Sequence, residues 1–167
     1  MTCAAGAQKS TPASGEAPDP CTLLSRLDIA EAVGASVKEG VSRVRNGNVA
    51  NCMFAGAHGG QFAILVRRTP SADWVSEQAG RMSDGSQYGT YREVPQIGDR
   101  SFLYHMHGKG GVLCVYGADY YLQMSLYRLG EDSQTAAVLR KLGGIAMARL
   151  RPRDERLRVT TATGNQR

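Results

Sequence analysis

The sequence predicts an α+β domain: an antiparallel sheet of about five to six strands with helices packed on one of its faces. Three observations carry that class. First, Phe102, Tyr104 and Met106 alternate with Leu103, His105 and His107, the two-residue period of a strand. Second, two more strand-like runs follow across tight turns, Val112–Tyr116 after the glycine-rich 107–111 and Tyr120–Tyr127 after Gly117-Ala-Asp119. Third, segments with helical periodicity flank the strands instead of alternating with them, which argues against a parallel sheet.

The elements follow in order. Residues 1–18 are rich in Ala, Ser, Thr, Gly and Pro and read as a flexible tether. Residues 19–150 form one globular domain, and 151–167 a basic flexible tail. Ser25–Val33 is a short helix, because Ser25 and Asp28 have the spacing of a capping box and Gly34 can end it. Leu23, Leu24, Leu27, Ala30 and Val33 would supply its buried side. Val37–Val44 alternates weakly and is basic, as an edge strand guarded by Lys38, Arg43 and Arg45 would be.

Asn51–Phe54 and Phe62–Val66 are strands joined by the hairpin loop 56–60. Pro70 and Ser71 open a helix to about Met82 with Trp74, Val75, Ala79 and Met82 along its apolar side, and Ser83–Arg92 reads as a mobile loop. Asp132 or Ser133 caps the last helix, where Ala136, Leu139, Gly143, Ala146, Met147 and Leu150 recur at helical spacing. Gly143 and Gly144 each cost about 1 kcal/mol of helix propensity, which close approach to the strands would offset. Tyr104, Leu122, Met124 and Leu139 are expected in one core.

Charge limits the function. The chain carries a net charge of +5, but six arginines between Arg149 and Arg167 face only Asp154 and Glu155, a local +4 that leaves +1 for all the rest. The domain itself therefore lacks the basic surface that phosphate contacts require, and no nucleic-acid partner is expected for it. Hydrophobic residues make up 42% of the chain, yet no apolar run approaches the roughly 20 residues that span a bilayer.

Catalytic and cofactor motifs are missing. Gly108-Lys-Gly-Gly111 lacks the rest of a phosphate loop and reads as a turn. His105 and His107 share one strand face at a spacing that can bind metal, with His58 as the remaining histidine. One reading is therefore a metal- or cysteine-dependent hydrolase using His105, His107 and Cys114. Cys114, however, lies within Val-Leu-Cys-Val-Tyr, the setting of a buried small hydrophobe. Against the enzyme stands a binding module: Tyr121 and Tyr127, with Tyr88 and Tyr91 nearby, would give contact area at low entropy cost.

Several residues taken together resemble a family. Asp19-Pro-Cys-Thr-Leu-Leu24 before a short helix ending at Val33-Gly34, Cys52-Met-Phe54 on the first hairpin, and Val94-Pro-Gln-Ile-Gly-Asp99 before a strand are similar to motifs of the bacterial lipoproteins grouped as domain of unknown function 3558. The third departs from the pattern at Gln96, where glycine is usual, and at Arg100-Ser101. The resemblance implies no catalytic residues. It implies an extracytoplasmic domain of the cell envelope, lipid-anchored at Cys3, that serves an envelope protein or small ligand as a non-enzymatic binding or accessory module. The basic and apolar regions of a signal peptide are missing before Cys3, so the expectation includes a truncated signal sequence. Export would place the chain where disulfides persist, and Cys21 and Cys52 are the expected pair, stapling helix to sheet. Cys114 is the competing partner for either, but its central apolar strand favours a free thiol.

Overall fold

The computed structural model describes residues 17–68, 77, 80, 81, 89–117 and 119–150, without the side chains of 44–46. Its elements are α1 (Pro20–Leu23), α2 (Arg26–Val33), β1 (Val41–Asn46), β2 (Val49–Ala55), β3 (Gln61–Arg68), β4 (Gly89–Glu93), β5 (Arg100–Met106), β6 (Gly110–Tyr116), β7 (Tyr120–Tyr127) and α3 (Thr135–Leu150). The seven strands form one antiparallel sheet in the order β1-β2-β3-β7-β6-β5-β4. The class is α+β, with more strands than the sequence announces. The additional one is β4, which runs from within the expected loop 83–92 to Glu93, just past it; its residues pair from Gly89↔Met106 to Glu93↔Phe102. Of the predicted helix 70–82 only Glu77, Gly80 and Arg81 are among the described residues, all three helical, and residues 83–88 lie outside them.

Local chemistry explains the first turns. Asp19 caps α1 by accepting from the Cys21 amide at 2.9 Å. Ser25 Oγ accepts from the Asp28 amide at 3.1 Å while Asp28 accepts from the Ser25 amide at 2.7 Å, the reciprocal capping box the sequence predicts. Gly34 ends α2 in the left-handed conformation, φ 69°. One position of the predicted apolar stripe is wrong: Leu27 is 67% exposed, and Ile29, fully buried, takes its place beside Val33. In so short a helix Ile29 and Val33 are separated by one turn, and that spacing turns Leu27 outward.

The helices cover one face. Leu103, Leu113, Met124, Ile64 and Cys52 are successive cross-strand partners, a buried row beneath α3 and α1. Leu122, Met124 and Leu139 share this core as expected, while Gln123 and Ser125 lie on the other face. Tyr104 does not join them. On β5 it is Leu103 that faces the helices, and Phe102 and Tyr104 point the opposite way. Ser101, Phe102 and Leu103 are all buried, so this strand is covered on both sides and its apolar pattern does not reveal which side is which.

α3 begins after a 3-10 turn, Asp132–Gln134, whose N-cap residue Glu131 makes no side-chain cap. The predicted caps Asp132 and Ser133 therefore lie inside that turn. Gly143 is a close-approach position: a Cβ there would sit 2.8 Å from Leu113 Cδ2 and 3.0 Å from Met124 Cε. Gly144 is exposed with nothing within 4 Å, so close approach explains only the first of the pair.

Candidate functional site

The amino-terminal side is built around sulfur. α1 presents Cys21 to Cys52 at the centre of β2, and the two form a disulfide with Cα atoms 5.2 Å apart, within the range such bonds require. Gly40 leaves the space: a Cβ at that position would lie 2.6 Å from Cys52 Sγ and 2.6 Å from the Phe54 ring. Ala17, before α1, is 1% exposed and donates its amide to Gly47 O at 2.9 Å. The packed domain thus includes Ala17, earlier than residue 19, beside the β1–β2 turn.

The histidines do not converge with Cys114, the cysteine outside the disulfide among the described residues. His105 lies on the helix-covered face, Nε2 3.2 Å from Asp132 Oδ1, and its ring centroid is 5.4 Å from that of exposed His107 in the β5–β6 turn. Asp132 also accepts from the Gly108 amide at 3.0 Å. That amide, with His105, holds its carboxyl below the usual range. Asp132 is thereby a latch between the β5–β6 turn and the approach to α3. Cys114 pairs with Phe102, so it faces away from His105. Among the described residues no group of three or more His, Cys, Asp or Glu is placed to hold a metal ion.

On the face opposite the helices, Phe102, Cys114, Tyr116 and Tyr121 form a second buried cluster. Tyr91 stacks on Phe102 with centroids 5.7 Å apart, and Phe102 meets Tyr116 edge-on at 5.9 Å. The Tyr121 hydroxyl donates to Gln123 Oε1 at 2.8 Å and lies 3.2 Å from Cys114 Sγ. Burial raises the Cys114 thiol to about 11, the wrong direction for a nucleophile. The same desolvation raises Tyr121, Tyr116 and Tyr91. The tyrosine surface expected from the sequence is corrected accordingly: Tyr121 does face away from α3 but is 1% exposed. Tyr127, at the other end of β7, is half-buried beneath the Arg128 guanidinium, 5.2 Å from its ring centroid. Tyr88 lies outside the described residues.

A concave site does occur where the sequence shows its third motif. The connection from β4 to β5 forms a half-open concavity of about 310 Å³ lined by residues 93–101. The motif residues build its wall. Val94 and Ile97 are buried, 3% and 8% exposed, and plug the loop into the core. Val94 and Ser101 are joined by a backbone bond of 2.9 Å, and the Ser101 hydroxyl donates to Val94 O. Asp99 donates its amide to Tyr116 O at 2.7 Å. Gly98 has φ 65°, and a Cβ there would lie 2.5 Å from Tyr116 O, so this position needs glycine on both counts. Gln96 has φ 72° with a side chain attached, a left-handed conformation that costs about 1 kcal/mol or more. At the rim, Arg100 Nε donates to Glu93 Oε1 at 3.2 Å, and its guanidinium sits 4.8 Å from the Phe102 centroid. The sequence shows the motif, but the concavity also depends on β4, whose composition is that of a loop.

Compared with protein-family models, curated proteins and solved structures, the chain matches none.

Proposed function

We propose that this chain is a non-enzymatic binding or accessory domain of the cell envelope, held outside the cytoplasm by lipid on Cys3. We also propose that it belongs with the lipoproteins whose short motifs it shares. The observation that carries the reading is the Cys21–Cys52 disulfide, which closes on a buried strand residue and joins helix to sheet. Such structural bonds persist in oxidising compartments and are rare where thiols are kept reduced. The disulfide-bonded domain fits an extracytoplasmic location, and no helix among the described residues is long and apolar enough to cross a membrane. The lipid on Cys3 is proposed from the resemblance of the sequence motifs alone. The ligand side of the proposal is supported by the β4–β5 cavity, whose 310 Å³ is at the lower end of small-molecule sites. A hydrolase using His105, His107 and Cys114 gains no support, because the sheet separates the thiol from His105.

The test combines a labelled fatty acid with non-reducing peptide mapping of protein taken from cells. Label incorporated into the native chain and lost in Cys3→Ser, together with a linked Cys21–Cys52 peptide, is the expected result. Free thiols at Cys21 and Cys52 would overturn the compartment. An unlabelled native chain would overturn the anchor.

A further inference from the structure

The half-open concavity of about 310 Å³ between β4 and β5 is lined by three charged residues, Glu93, Asp99 and Arg100. They are not equally engaged. Arg100 Nε donates to Glu93 Oε1 at 3.2 Å, and its guanidinium rests 4.8 Å from the centroid of the Phe102 ring, so its charge is already committed at the rim. Asp99 is held through its backbone, whose amide donates to Tyr116 O at 2.7 Å. Its carboxylate has no hydrogen bond or ion pair among the described residues. One positive charge against two negative ones leaves the lining at −1. Arg92 is the next cation in sequence, but it pairs with Leu103 and so belongs to the helix-covered face, opposite to that of Glu93.

We infer that this concavity binds a small organic ammonium ion, with Asp99 as its counter-ion. The assignment rests on the reading of the β4–β5 loop as a ligand site and adds the chemistry of what that site takes. An ammonium group only donates hydrogen bonds and an ionised carboxylate only accepts them, so each completes the other. Pro95 and Ile97 line the same space, and a short alkyl stem on the ammonium gains contact there. The small volume excludes a large ligand. An anion is the less favoured occupant, because it meets two like charges and the one guanidinium that could receive it already donates to Glu93. A metal ion is less favoured as well, since it needs several protein ligands and no group of three or more His, Cys, Asp or Glu is placed to hold one among the described residues. At a half-open site such an ion pair should change binding by roughly five- to tenfold.

The experiment titrates the isotope-labelled full chain with hexylammonium, hexanol and hexanoate, which share a stem and differ in charge, and follows the backbone amide resonances. Hexylammonium should shift the amides of the loop 96–100 and bind roughly five- to tenfold more tightly than hexanol, with hexanoate weakest. Salt at about 0.5 M, where screening is short-ranged, should remove most of that preference. Asp99→Asn should abolish it and leave the rest of the spectrum unchanged. Arg100→Gln takes away the positive charge of the lining and should strengthen it, a change in the direction that a misfolded loop would not give. Equal binding of hexylammonium and hexanol, tighter binding of hexanoate, a preference unchanged in Asp99→Asn or weakened in Arg100→Gln, or displacement of hexylammonium by an equal concentration of calcium would each overturn the inference while leaving the loop a ligand site. Loop resonances that respond to none of the three probes would overturn the inference and the ligand side of the proposed function together. None of these outcomes depends on the Cys21–Cys52 bond or on a lipid at Cys3.

Discussion

Arg149 and Asp28 meet through two parallel hydrogen bonds, Nη1 to Oδ2 at 2.7 Å and Nη2 to Oδ1 at 3.2 Å, which fasten the last turn of α3 to the first turn of α2. The bond to Arg149 is the main cause that holds the Asp28 carboxyl far below the usual range, and Asp28 in return raises Arg149. The same carboxylate closes the capping box, so one side chain stabilises a helix end and a tertiary contact together.

The first prediction concerns this pair. Arg149→Gln should cost about 1–2 kcal/mol, the range for charge-assisted bonds discounted for a half-exposed guanidinium. The folded pKa of Asp28 is depressed, so its contribution is complete above the unfolded value of 3.8 and disappears as pH falls through and below that value. Urea midpoints should hold steady above about pH 5 and fall steeply below about pH 4, with a shallower fall in Arg149→Gln. Identical acid slopes in the two proteins would count against the assignment.

The paired glycines of α3 should respond in opposite directions. Gly143→Ala forces a methyl against Leu113 and Met124 and should destabilise by about 1–3 kcal/mol. Gly144→Ala adds helix propensity at an open position and should stabilise by about 0.5–1 kcal/mol. Thermal melts of the two variants give the comparison directly.

Gln96→Gly should raise stability, by up to about 1 kcal/mol, because glycine adopts the left-handed backbone without steric cost while giving back some unfolded-state entropy. Gly98→Ala should destabilise by more than 2 kcal/mol, at the upper end of about 1–3 kcal/mol for overpacking, since it adds a backbone clash with Tyr116. Denaturant titration of both separates strain from contact in the same loop.

Cys114 should be silent in the native protein. It is 2% exposed, with its thiol raised to about 11, so a thiol reagent at pH of about 8 should react only after unfolding. Stoichiometric reaction of the folded chain would mean that the second cluster opens readily.

Elements whose chemistry is local were legible in the sequence. The capping box of Ser25 and Asp28, the stop at Gly34 and the β2–β3 hairpin depend on neighbours a few residues apart. Elements decided by distant contacts were less so. Leu103 and Phe102 are both apolar and both buried, and only the placement of α3 says which one it covers. β4 has the composition of a loop and becomes a strand because β5 offers it an edge. Tyr121 follows the correct alternation, but exposure depends on what lies over a face, which alternation does not encode. The cavity wall at 94–99 was visible as a motif, whereas its concavity needed β4 and β5 together.

The sheet also sets a timetable for sulfur pairing. Cys21 and Cys52 lie on α1 and β2, with only one helix and one further strand between them, and Cys114 belongs to the later strand β6. In a chain threaded through a membrane from its amino terminus, with Cys3 carrying the proposed lipid, Cys21 and Cys52 emerge and can join before Cys114 appears. When β6 does arrive, its hydrogen bonds to β7 and β5 turn Cys114 towards the face opposite the finished bond. Correct pairing is thus favoured first by order of emergence and then by a wall of backbone, without demanding that an isomerase choose between cysteines.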